Sequence, residues 1–132
     1  LIRLGGQDAV EARLTSVFFP HGIGHLLGLQ VHDVGGVQGD PSGRERPRPE
    51  GHPYLRMTRM LEPGVVVTVE PGIYFIDSLL KAAAADKRHE LIDWSRVDGL
   101  RPFGGIRIED NVVATTGAPE NLTRTAFARL AA

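Results

Sequence analysis

The 132 residues are 42% hydrophobic and 23% charged with a net charge of −1, proportions that suit one ordinary globular domain with a core of its own. That balance excludes an electrostatic pull toward nucleic acid or anionic membrane, and the absence of cysteine excludes disulfides, thiolate zinc sites and cysteine nucleophiles. Absent cysteine also agrees with a reducing, cytoplasmic setting, and no apolar run approaches the roughly 20 residues of a membrane helix.

Leu1 is not an initiator methionine and LIRLGG lacks a signal-peptide pattern, so the chain is expected to begin partway through a longer protein. Residues 8–14 (DAVEARL) predict a short helix with Asp8 near its start and Glu11 inside. Residues 17–20 (VFFP) read as β-prone. Over 21–36, HGIGHLLGLQVHDVGG, the glycines at 22, 24 and 28 argue against a helix. Residues 37–53 are rich in Pro, Gly and Arg and read as a surface loop, and 55–60 carry no decisive pattern. Residues 65–69 (VVVTV) are β-branched throughout and follow the turn signal Glu62-Pro63-Gly64, which predicts a strand. Glu70-Pro71-Gly72 interrupts it and 73–76 resume it. An insertion over 78–99 holds an alanine-rich helix (SLLKAAAADK) and an amphipathic stretch near Trp94. Residues 103–114 (FGGIRIEDNVVA) predict a second strand system bent at its glycines. A polar turn and a short helix from Asn121 close the chain.

Three histidines, His21, His25 and His32, fall within twelve residues. Neutral imidazole is a common metal ligand, but loop or core histidines satisfied by hydrogen bonds give the same pattern. The glycines make a zinc-binding helix with ligands at i and i+4 improbable, and Gly22 stands where the HExxH motif has glutamate. Glu70 follows the most hydrophobic strand, where desolvating a carboxylate costs several kcal/mol unless it is paired or metal-bound. Its plainer reading is an exposed strand-end glutamate beside a Pro-Gly turn. Glu109 has a similar setting, and strand alternation puts it on one face with Arg107, which a weak salt bridge would equally explain. Taken together, these nitrogen and oxygen donors favour manganese, iron, cobalt or zinc over copper.

The segments FFPHGIGHLLGLQVHDVGG, LEPGVVVTVEPGIYF and GGIRIEDNVV resemble those of the pita-bread metallopeptidases, which include prolidase and aminopeptidase P. The resemblance runs over nearly the whole chain. The long loop between VHDVGG and YLRMTRMLEPG, and the insertion between Glu70 and Glu109, are similar to the bacterial prolidase (Xaa-Pro dipeptidase) branch. The resemblance implies an α+β fold, the C-terminal half of a pita-bread domain, with a curved antiparallel sheet and flanking helices. It makes His25, Glu70 and Glu109 metal ligands, with Glu109 bridging two ions and Glu70 also accepting the proton of the attacking water. His21 and His32 would line the substrate site, Arg107 would orient a ligand carboxylate, and Arg56 would hold the free carboxylate of the substrate's proline.

The implied cofactors are two divalent ions, Mn2+ first, with Co2+, Zn2+ and Fe2+ as alternatives. The implied reaction of the full-length enzyme is cleavage of Xaa-Pro dipeptides, with no nucleic-acid or membrane partner and with homodimers as the working form. Enzymes of this type place two aspartate ligands in the half that precedes this segment, and no aspartate here matches that pattern. Asp33 and Asp110, inside the matching motifs, are expected to support the ligands or the fold. The amino-terminal domain and the first half of the catalytic domain are therefore expected to be missing. The fragment is expected to be inactive alone, self-associating or pairing with the missing half. Rival readings are aminopeptidase P, an amidinohydrolase on the same fold, and a non-catalytic binding module.

Overall fold

The computed structural model describes residues 1–131. In chain order its elements are α1 (Gly6–Glu11), α2 (Thr15–Phe18), β1 (Val66–Val69), β2 (Gly72–Ile73), α3 (Asp77–Ala84), α4 (Trp94–Leu100), β3 (Ile106–Arg107), β4 (Asp110–Val113), β5 (Glu120–Asn121) and α5 (Leu122–Leu130). They fall into two compact units, each assembled from separated segments: Leu1–Pro20 with Gly72–Arg107, and His21–Pro71 with Ile108–Ala132.

The first unit is built around Leu14, Val17, Phe18, Leu80, Ala83, Ile92 and Val97. In α3 the sequence DSLLKAAA puts Leu80 and Ala83 three residues apart, on one face of the helix, and both are buried. The Asp93 carboxylate caps α4 by accepting from the Arg96 N–H at 3.2 Å. The helix expected over 8–14 starts earlier and stops at Glu11. Arg13 takes a left-handed φ of 54° there, its N–H bonds the Val10 carbonyl, and the Leu14 N–H bonds that of Ala9. This paired closure ends a helix by satisfying its last carbonyls, and both Leu14 and Ala9 are buried.

The β-prone reading of 17–20 is overturned, because Thr15–Phe18 forms a helical turn. A strand would send Val17 and Phe18 to opposite faces, whereas the turn buries both in one core. Tertiary packing here outweighs β-propensity. The resumed strand is also shorter than expected. Only Gly72 and Ile73 pair, with Arg107 and Ile106, and Phe75 leaves to meet Phe18 edge-to-face at 6.2 Å.

In the second unit β1 pairs antiparallel with β4, and β4 with β5, in the order β1-β4-β5. The free edge of β1 is taken by residues 23–27. Leu26 bridges Val67, and the N–H groups of Leu27, Thr68 and Glu70 reach the carbonyls of Val66, His25 and Ile23 at 3.1, 2.9 and 2.7 Å. The Asn121 side chain caps α5 by accepting from the Arg124 N–H at 2.8 Å. Residues 37–53 are largely exposed loop, as their composition predicts.

The strand system expected over 103–114 is broken into β3 and β4. Proline explains the break. Ile108 donates to the Pro71 carbonyl at 3.2 Å, but Pro71 has no N–H with which to return the bond. The register nevertheless persists beyond the ladder: Val69 faces Asp110, and one step further Glu70 stands opposite Glu109.

Candidate metal centre

Three buried polar side chains lie side by side in the second unit: His25 at 3%, Thr68 at 2% and Glu70 at 7% exposure. The pairing of 23–27 with β1 sets His25 across from Thr68, and Gly24 makes that approach possible. A Cβ at Gly24 would overlap the Thr68 carbonyl. Glu70 lies two residues past Thr68, so the two side chains share one side of the chain.

Hydrogen bonds fix the orientation of each group. The His25 backbone N–H donates to the Thr68 hydroxyl at 2.9 Å, and that hydroxyl donates to Glu70 Oε1 at 3.0 Å. His25 Nδ1 lies 3.1 Å from the Leu26 carbonyl, which can only accept, so Nδ1 carries the proton in this pair. Nε2 of the neutral ring is then a lone-pair donor, and it sits 3.3 Å from Glu70 Oε1.

Two acceptors this close in a buried place require a cation or a proton between them. Two ligands at about 2.1 Å from one ion stand roughly 3.0–3.4 Å apart when adjacent, so the spacing suits a shared divalent metal. A histidine that gives its other ring N–H to a carbonyl is also the usual arrangement behind a metal-bound imidazole. The pair therefore fits the metal expected from its sequence.

Around this pair the structure places the other expected residues unevenly. The His32 ring meets His25 edge-on with centroids 4.4 Å apart, on an exposed loop. Asp33 holds that loop, accepting from the Gly35 N–H at 2.8 Å while its own N–H bonds the Leu26 carbonyl. His21 is half-buried with Nδ1 2.7 Å from the Gly22 carbonyl. Glu109 is exposed and stands opposite Glu70 by register. Among the described residues, no three His, Asp or Glu side chains converge closely enough to hold one ion.

Arg56 is exposed in a segment tied back by the Thr58 and Arg59 N–H groups, which both donate to the Gly36 carbonyl. Arg107 lies on β3, in the other unit. Asp110 takes a supporting role: Arg124 Nε lies 3.0 and 3.1 Å from its two oxygens and ties α5 to β4. Asn121, and then Arg124, hold its carboxyl below the ordinary 3.8. Thr68 is the residue sequence reasoning missed. The available signal was a hydroxyl two positions before the glutamate of a strand, hence on the same face.

Comparison with known proteins adds to this geometry. The model of metallopeptidase family M24 matches residues 6–116. The Xaa-Pro dipeptidase of Stenotrophomonas maltophilia (strain K279a) is 56% identical over 128 residues, which is 97% of this chain and 29% of that protein. That of Xanthomonas campestris pv. campestris (strain B100) is 55% identical over the same shares. Solved structures of Yersinia pestis proline aminopeptidase P II, and of Escherichia coli aminopeptidase P with the inhibitor Pro-Leu, are each 35% identical with a TM-score of 0.51. Each covers 95% of this chain and 22% of that structure's chain. The chain thus spans less than a third of the length of the relatives it matches. Among the described residues no helix is long and apolar enough to cross a membrane.

Proposed function

The chain belongs to metallopeptidase family M24, and from that membership we propose that the whole protein is an Xaa-Pro dipeptidase, with these residues as the carboxy-terminal part of its catalytic domain. The observation that carries this reading is the 52–56% identity to Xaa-Pro dipeptidases across 97% of the chain. Identity to the aminopeptidase P structures is lower, at 35%, so aminopeptidase P is the second reading.

In this proposal His25, Glu70 and Glu109 hold two divalent ions, manganese first, with further carboxylates from outside these residues. Bound, such ions supply Lewis acidity toward a water and the scissile carbonyl. His25 presents Nε2 because the Leu26 carbonyl holds the proton on Nδ1. Glu70, oriented by Thr68, takes the proton of the attacking water. His32, beside His25, and His21 contact the substrate near the scissile imide bond. Arg107 orients a ligand carboxylate, and Arg56 offers a planar two-pronged donor to the substrate's terminal carboxylate.

The test is to assay the full-length protein with Mn2+ on an Xaa-Pro dipeptide, its amide and an Xaa-Pro-Yaa tripeptide, with and without chelator. Chelator-sensitive cleavage of the dipeptide, slower cleavage of its amide and none of the tripeptide is expected. Arg56→Ala should raise KM for the acid but not for the amide, since a contact made equally in ground and transition state acts on KM. Efficient tripeptide cleavage would favour aminopeptidase P, and no hydrolysis of any substrate would favour a binding module.

A further inference from the structure

We propose that Thr68 is a positioning residue for the metal pair, its hydroxyl setting both the height of the His25 imidazole and the rotation of the Glu70 carboxylate. The inference rests on the metallopeptidase reading and goes beyond it, because Thr68 itself binds nothing. In a regular antiparallel pair, the His25 N–H would bond the Thr68 carbonyl, as the Thr68 N–H bonds that of His25. Instead the His25 N–H goes to the Thr68 hydroxyl at 2.9 Å.

A hydroxyl has one hydrogen and two lone pairs. With a lone pair engaged by His25, its hydrogen is aimed at Glu70 Oε1, 3.0 Å away. That oxygen is the one 3.3 Å from His25 Nε2. The backbone of one donor and the carboxylate of the other are thus joined through a single oxygen atom that is itself buried. Rotation of the carboxylate, or a shift of residues 23–27 along β1, breaks one of these bonds in a place water does not reach. The γ-methyl of threonine favours the strand conformation but plays no part in this link.

The experiment uses Co2+ alone as probe, added to the metal-free full-length protein and to Thr68→Val, Thr68→Ser and Glu70→Gln forms. Affinity and the visible absorption of the bound cobalt are read on protein shown by circular dichroism to be folded. Supporting groups of this kind change metal affinity by about 10–100-fold. Thr68→Val should weaken Co2+ binding by that factor and alter the absorption, and Thr68→Ser should bring both back to within about threefold of the parent. A folded Thr68→Val protein with parental affinity and spectrum would overturn the proposal. So would a serine form as poor as the valine form, which would assign the effect to packing of the methyl. Thr68→Ala replaces the valine form if that does not fold. Undiminished Co2+ binding by Glu70→Gln would instead sink the metal reading itself.

Discussion

Glu70 is a carboxylate 7% exposed, with a histidine nitrogen 3.3 Å away and a threonine hydroxyl on the same oxygen. The amide of Glu70→Gln keeps the shape but removes the negative charge and the basic oxygen. In the full-length enzyme it should lower kcat by at least about 100-fold, the usual worth of a general base, and reduce bound metal. Near-parental kcat with a full metal complement would remove Glu70 from the mechanism. Its sequence setting permitted either a buried ligand or an exposed strand end, and burial removes the exposed strand end. What the sequence concealed was Thr68, since a threonine in VVVTV is explained by β-propensity before any other role comes to mind.

Asp86 shows the electrostatics of a surface pair. Hydrogen bonds from the Arg88 side chain and then its N–H, together with charge, hold the carboxyl below the ordinary 3.8. A carboxyl lowered on folding stabilises the fold above its unfolded value and loses that contribution as pH falls through the folded one. Thermal melts of the parent and Asp86→Asn should therefore differ near neutral pH and converge well below pH 3.8. A gap that persists in strong acid would assign the effect to packing.

Among elements, the pairing of 23–27 with β1 depends most on one position. Gly24→Ala would drive a methyl into the Thr68 carbonyl, a backbone atom unable to swing aside. The paired segments must separate, and His25 leaves Glu70. Loss of metal binding with a Tm drop of several degrees is expected, since about 1 kcal/mol corresponds to roughly 2–8 °C in domains smaller and larger than this one. A Gly24→Ala protein with parental Tm and metal content would contradict the pairing. The elements legible beforehand were those with strong local signals: β1 after its Pro-Gly turn, the alanine-rich α3, and α5 from the capping Asn121. The illegible ones were decided by distant partners. Val17 and Phe18 turn helical to share a core with Leu80 and Val97, and the break between β3 and β4 originates in Pro71, more than thirty residues upstream. The three-motif resemblance to metallopeptidases is borne out by the family match and by the dipeptidase relatives.

At the scale of the whole molecule, charge counting limits what these residues can do alone. In the proposed site two divalent ions would bring four positive charges, against which Glu70 and Glu109 would set two negative ones and a neutral His25 none. Buried uncompensated charge costs several kcal/mol per ion, so the 132-residue chain with Mn2+ is expected not to hydrolyse the Xaa-Pro dipeptide proposed as the full-length protein's substrate. Robust turnover by the chain alone would refute this account of the site.

The interleaved segments of the two units also bear on how the protein is made. Leu14, Val17 and Phe18 leave the ribosome well before Leu80, Ile92 and Val97, the residues they pack against. At about 5–20 residues per second that interval lasts several seconds. The second unit waits likewise, since β1 meets β4 only after Asp110–Val113 is translated. Neither unit can bury its interior until most of the chain has emerged, so the nascent polypeptide exposes apolar side chains prone to aggregation for those seconds. Slow codons placed ahead of position 72 should therefore raise the insoluble fraction without altering a single amino acid.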